Sequence, residues 1–317
     1  MPDAAPVESV AVLPSGKPAD DAVKPSPPPA KKSPSLGALI AASPDKLDNF
    51  LSHLFRCMQT RAGADAVLMF ACYSTRLAGS LLEIASAATL KASSRQLIES
   101  LFKLPPATTV VMASTTTPTS VATMMSLAAK LKAYSAMISE MRCMGRLWGL
   151  LGLYFAAKRL VVKSLSKSKA DPEKASTESA AEATFDTVVA YTQIISLIIF
   201  QAAENASYLT GRKVLPFSPA TQGKLALLSV RSWALYVFIE FSRLLIERSR
   251  KQSSGVAVKD AEWSAQWKKT FLRNASWAPL TLHWGSTTGG FLPDVLVSFF
   301  GAYPATSQLI DLWKANA

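Results

Sequence analysis

Residues 43–58 read SPDKLDNFLSHLFRCM, and this stretch decides the fold class. Ser43 and Pro44 form an N-cap and first-turn pair, because proline has no N–H to lose there and its φ already suits a helix. Leu47, Phe50, Leu51, Leu54, Phe55 and Met58 follow at i, i+3, i+4, i+7, i+8 and i+11, a 3.6-residue stripe. The same period recurs outward along the chain. Gly63 interrupts it, and a second amphipathic stretch runs from Ala64 to about 88. Met124, Leu127, Leu131, Tyr134, Ile138, Met141 and Trp148 keep a heptad-like seam in what reads as one long helix over 121–162. Further helices are predicted at 184–209, 222–247, 261–275 and 294–313. Neither βαβ alternation nor regular strand-turn spacing is present, so the class is all-α, with long amphipathic and apolar helices.

The punctuation between helices sets the domain organisation. Residues 1–35 hold nine of the 19 prolines and almost no large apolar side chains. They cannot bury enough surface to offset their ordering entropy and read as a disordered tail. Residues 36–317 form a membrane-associated helical domain with loops at about 105–120, 163–182 and 248–260, where Pro, Ser, Thr and charge accumulate.

Composition narrows the function classes. Of 317 residues, 49% are hydrophobic and 18% charged, against about 25% charged in an ordinary globular chain. Mean hydropathy is +0.20, yet the net charge is +12. The tail carries four lysines and four acids, so the whole excess lies on the apolar part. Apolar and basic together point to a membrane before nucleic acid, whose basic regions are polar. Three cysteines and two histidines exclude a disulfide framework and a multi-ligand zinc site. The first residues lack a basic segment followed by an apolar one, and the last four, KANA, carry no peroxisomal or endoplasmic-reticulum address. Neither a GxGxxG nor a Walker loop occurs, and Gly285–Gly290 reads as a turn. The expectation is no enzyme, no metal and no cofactor.

Four stretches approach the ~20 apolar residues a membrane span needs: 187–203, 226–246, 274–293 and 295–310, each shortened, charged or broken by proline. Glu204 and Glu240 are isolated acids in apolar helices, a pattern that predicts an ion pair with an arginine of a neighbouring helix.

The helix at 64–83 holds the candidate site. At 100° per residue Val67, Phe70, Ala71, Ser74, Leu77, Ala78 and Leu81 share one side; Asp65, Cys72, Arg76, Gly79, Ser80 and Glu83 lie opposite. Such a helix either packs in a core or lies in a membrane interface with its apolar side down. In the second case Val67, Phe70, Ala71, Leu77, Ala78 and Leu81 insert, and Asp65 and Arg76 mark the polar face. Burying Val67, Phe70, Leu77 and Leu81 at ~1.5–3 kcal/mol each gives at most ~6–12 kcal/mol. Residues 130–169 carry nine basic side chains against one acid. Arg142, Arg146, Lys158, Arg159, Lys163, Lys167 and Lys169 flank the apolar run 147–157, which is too short to span, so a helix lying along anionic headgroups is expected. A second basic cluster, 243–273, is interleaved with Trp263 and Trp267.

Four blocks resemble a known family. LDNFLSHLFRCMQTRAGADAVLMFACYSTRLAGSLL (47–82), with Asp65, Tyr73 and Arg76, is similar to the opening of the peroxisomal biogenesis factor 11 family. RCMGRLWGLLGLYFAAKRL (142–160) resembles its central basic-apolar helix, and ENASYLTG (204–211), with Glu204 and Tyr208, its acid-then-aromatic element. FLRNASWAPLTLHW and FLPDVLVSFFGAYPATSQLIDLW, within 271–313, resemble its C-terminal block, with Arg273, Asn274, Pro279, Gly301 and Trp313 in place. The proline-rich tail and the Ser/Thr-rich loop place the likeness nearest the divergent fungal branch. The resemblance implies a peroxisomal membrane protein that elongates the membrane before fission by inserting an amphipathic helix, and so controls peroxisome number and size. It implies homo-oligomers, a phospholipid membrane as partner, and cooperation with a fission adaptor and a dynamin-related GTPase. The residues alone leave two rivals open, a small-solute pore or carrier and a soluble helical adaptor.

Overall fold

In the computed structural model, which describes residues 44–105, 118–168, 177–253 and 261–317, helices follow one another with short breaks and no strand. In chain order they are α1 (Pro44–Met58), α2 (Arg61–Phe102), α3 (Thr119–Arg146), α4 (Gly149–Ser168), α5 (Thr177–Gly211), α6 (Pro219–Ser253), α7 (Ala261–Gly285) and α8 (Asp294–Ala315). The chain divides into two units, Met1–Asp48 and Asn49–Ala317. Of the first, the description covers only the opening residues of α1. The expected tail, the loop centres near 110, 172 and 257, and Lys169 lie outside the described residues.

The helices run longer than the periodicity predicts. The break after α1 is set by Thr60, whose extended backbone (φ −106°, ψ 150°) and hydroxyl, accepting from Gly63 N–H at 3.0 Å, cap α2. Gly63 therefore lies inside the first turn of α2 instead of interrupting it. From there α2 continues for 42 residues, about 60 Å at 1.5 Å per residue.

The expected single helix over 121–162 is two helices. Leu147 and Trp148 form a turn between α3 and α4. The Asn205 amide donates to the Leu147 carbonyl at 3.0 Å, taking an acceptor that a continuous helix would use. Gly149 follows because a Cβ there would sit 2.7 Å from Gln201 Oε1. Both partners lie on α5, so no local pattern in 121–162 carries the break. The loops also begin later than expected: α4 continues to Ser168 and α6 to Ser253.

Packing within the larger unit follows a ring. α2 lies between α3 and α8, α7 joins α8 to α6, and α6 packs on α5; α5 also touches α3 and carries α4 on its outside. The buried positions are small or polar to an unusual degree. Ser80, Ser86, Ser135, Ser196, Ser229, Ser232 and Ser298 are buried, with Gln201, Thr210 and Thr281. Leu81, Ile84, Leu127, Met137, Val188, Ile195, Leu228, Leu235 and Phe299 are exposed. A protein in water hides the second set and shows the first. In lipid the order reverses, because small residues let helices approach and apolar side chains cost nothing outside.

Three helices, Arg61–Phe102, Glu182–Gly211 and Pro219–Ser253, are long and apolar enough to cross a membrane. Two of them contain the expected stretches 187–203 and 226–246. α2 joins them, whereas 274–293 and 295–310 do not: α7 and α8 contain Pro279 and Pro304 inside shorter helices.

Candidate functional site

Six helices line a half-open cavity of about 820 Å³. α2 supplies Met69, Cys72, Tyr73 and Arg76 to its wall, and α3 supplies Lys132, Ser135, Arg142 and Arg146. Phe200 and Glu204 enter from α5, Trp233 from α6, Trp277 and Trp284 from α7, and Asp294 from α8.

Each cation in the wall is fixed by a carboxylate from another helix or another turn. Arg142 binds Asp65 through two bonds, Nε to Oδ1 at 2.9 Å and Nη2 to Oδ2 at 3.2 Å. Arg146 binds Glu204 in the same two-pronged way, at 2.9 and 2.7 Å. Arg76 donates Nε and Nη2 to Asp294 Oδ1 at 2.9 and 2.5 Å. The other oxygen of Asp294 accepts the Ser80 hydroxyl at 2.6 Å and stands 2.9 Å from Lys132 Nζ, which also donates to Glu83 at 2.5 Å. Burial works to raise the Asp294 pKa, but the bonds from Ser80, Lys132 and Arg76 outweigh it and hold the carboxyl well below the usual range. Burial likewise works to lower the Lys132 pKa, and its bonds to Glu83 and Asp294 raise it above its ordinary value.

The aromatic part of the wall is continuous. Trp233 packs edge-on to Trp277 with centroids 5.2 Å apart and stacks on Trp284 at 6.1 Å, and Trp277 meets Tyr73 at 5.9 Å. Tyr73 in turn lies against α8 at Gly301, where a Cβ would stand 2.2 Å from its ring. Outside the cavity, Tyr208 donates to Glu140 at 3.3 Å. Arg273 donates to Ser307 Oγ at 2.9 Å and pairs with Asp311. His53 stacks on Trp313 at 3.9 Å, its Nε2 2.9 Å from the Trp313 carbonyl oxygen.

The residues expected on the inserting helix lie on the outer side of α2, and their polar counterparts lie on its inner side. The side bearing Gly63, Ala66, Met69, Cys72, Gly79 and Ser80 is buried, with Asp65 and Arg76 tied into ion pairs across the bundle. Val67, Phe70, Ala71 and Leu77 are half-buried; Ala78 and Leu81 are exposed, Leu81 at 52%. The polar side thus faces protein and the apolar side faces out, within a 42-residue bundle helix. Arg142 and Arg146, expected at lipid headgroups, point inward instead, and Arg142 is only 12% exposed. The physical reason is that an acid on a facing helix, Asp65 or Glu204, offers a partner that spacing along one helix cannot reveal. Lys158, Arg159 and Lys163 do lie exposed on α4, with no ion pair among the described residues, beside Trp148, Leu151 and Tyr154. Lys167 belongs to α4, but its side chain lies outside the described residues.

Of the two isolated acids, Glu204 meets an arginine of another helix as expected. Glu240 meets Arg243 on its own helix, at 2.6 Å, and Gln193 of α5 at 2.7 Å. The second basic cluster is partly neutralised too: Arg243 binds Glu240 and Glu247, Arg250 binds Asp186, and Arg248 lies 4.8 Å over Trp267. Gly285 to Pro293 is indeed a turn, closed by His283 Nδ1, which accepts the Phe291 and Leu292 N–H groups at 2.9 and 2.8 Å. Lys132, Asp294, Trp233 and Trp284 were missed by sequence reasoning. The only available hint was an acid placed directly after Pro293, at a helix start. Among the described residues, no group of three or more His, Cys, Asp or Glu is placed to hold a metal ion.

No family model, curated protein or solved structure matches this chain. What it does is therefore argued from its own residues.

Proposed function

We propose that this chain is a peroxisomal membrane protein that elongates the membrane before fission and so sets peroxisome number and size. The observation that carries the membrane part is the inverted side-chain distribution: serines, glycines and ion pairs turn inward while leucines, isoleucines and phenylalanines turn outward on helices long enough to cross. Two elements suit the remodelling part. α1 exposes Leu51, Phe55 and Met58, with Phe55 69% exposed, and α4 exposes an apolar side beside Lys158, Arg159 and Lys163. Helices of this kind lie in the headgroup layer and spread one leaflet.

The peroxisome, the homo-oligomer, and the fission adaptor and dynamin-related GTPase partners come from the resemblance of the four blocks. It supports this reading that the blocks meet: Asp65 with Arg142, Arg146 with Glu204, Tyr73 with Gly301. The test is to remove and to overproduce the tagged protein while counting peroxisomes by fluorescence microscopy. Fewer, larger organelles on removal and tubulated ones on overproduction are expected. Unchanged organelles, or a tag elsewhere in the cell, would overturn the proposal.

The cavity favours a second reading, passage of a small solute through the six-helix ring. Release of an entrapped solute from sealed vesicles holding the purified protein separates the two, because elongation needs no such release.

A further inference from the structure

The cavity wall has a composition that neither membrane elongation nor a water-filled passage requires. Four cations and two acids line it, and Asp65 and Glu83 reach their partners from outside the lining, so the cluster of ion pairs is neutral as a whole and what it offers is fixed N–H donors. The carboxylates hold the guanidiniums by Nε and Nη2, so Nη1 of Arg76, Arg142 and Arg146 is uncommitted among the described residues. Three Nη1 amino groups, on arginines held in place by their carboxylates, suit the oxygens of a phosphate. Facing them, Trp233, Trp277 and Trp284 offer apolar area that a free inorganic anion has no use for. A volume of about 820 Å³ lies within the ~300–1,000 Å³ of ordinary ligand sites.

We propose that the cavity is a binding site for the phosphate headgroup of a single anionic phospholipid, with the glycerol and upper acyl chain against the tryptophans. The ion pairs pre-set the arginines, so little side-chain entropy is lost on binding. The outward apolar surface keeps the cavity beside a source of such lipids. The inference goes beyond the proposed function and needs only that the chain be in a membrane; it holds or fails whatever the organelle.

The experiment uses the full chain purified in a mild non-ionic detergent and native mass spectrometry, with dioleoyl phosphatidic acid, dioleoyl phosphatidylcholine and inorganic phosphate as probes. One phosphatidic acid per chain is expected to survive gas-phase activation that strips phosphatidylcholine. Ala136→Trp puts a bulky ring at the cavity wall from α3 while leaving the ion-paired side chains themselves unchanged. It should weaken phosphatidic acid retention by about tenfold or more, with helical content and melting temperature unchanged. Arg142→Lys with Arg146→Lys keeps both charges but removes the Nη1 donors, and should weaken it too. Displacement by equimolar inorganic phosphate would identify a free-anion site and overturn the lipid assignment. Equal retention of both lipids, or no loss in Ala136→Trp, would show surface lipid only and overturn it as well.

Discussion

Arg76 Nη2 stands 2.5 Å from Asp294 Oδ1 across 218 residues of sequence, clamping the middle of α2 to the first residue of α8. Ser80 and Lys132 close on the other carboxylate oxygen, so one acid joins three helices. Removing it leaves Arg76 without a counter-charge and Lys132 with Glu83 alone. Asp294→Asn is expected to destabilise the folded protein by about 1–3 kcal/mol, below the cost of breaking a fully buried pair because the groups are about a third exposed. Thermal unfolding in detergent, followed by circular dichroism, reads this directly; an unchanged midpoint would mean that the clamp contributes nothing.

Stability should also fall in acid. In the folded state the carboxyls of Asp294 and Asp311 are held below their ordinary range, despite burial acting to raise them, by Ser80, Lys132 and Arg76 in one case and by Lys269 and Arg273 in the other. An unfolded aspartate takes up its proton near pH ~3.9. Below that pH the unfolded chain binds more protons than the folded one, so the contribution is complete above it and is lost progressively as pH falls from there towards the lowered folded-state values. Melting temperature measured from pH 7 down to 3 should drop at the acid end, and Asp294→Asn should flatten the drop. A drop of equal size in that variant would assign the effect elsewhere.

Gly301→Ala tests a close approach between α2 and α8. The added methyl would stand 2.2 Å from the Tyr73 ring, so either the ring or α8 must move. A cost of about 1–3 kcal/mol is expected. Tyr73→Leu should lower that cost, because it removes the ring the methyl meets. If the two changes simply add in a double-mutant cycle, the contact is not the cause.

The outward apolar surface predicts an asymmetry on α2. Leu81→Lys places a charge on the exposed side, at ~2.5–3.5 kcal/mol if that position lies mid-bilayer. Leu81→Ser, by contrast, should be tolerated. The fraction of protein resisting alkaline carbonate extraction should fall for lysine and hold for serine. Equal behaviour of both would place Leu81 in water.

Changing Lys158, Arg159 and Lys163 to Gln should weaken binding of the purified protein to anionic vesicles, most strongly at low salt, at up to ~1 kcal/mol per residue. Melting temperature should not change, since none of the three holds an ion pair among the described residues. Loss of stability instead of vesicle binding would make α4 a structural element.

The sequence by itself determined what is local. Stripes such as Leu47 to Met58 fix helices because a 3.6-residue period is a property of one segment. The net charge and mean hydropathy pointed to a membrane, since they belong to the whole chain and need no fold. The tertiary structure decided everything that depends on which helix faces which. The break at Leu147 comes from an amide on Asn205. The inward turn of Arg142 and Arg146 comes from Asp65 and Glu204. The orientation of α2 is the sharpest case: amphipathicity gives two sides and does not say which one faces protein. In water the apolar side goes inward; here the small and polar side does, held by ion pairs, serine hydroxyls and close backbone approach, the arrangement expected where apolar side chains have no water to escape.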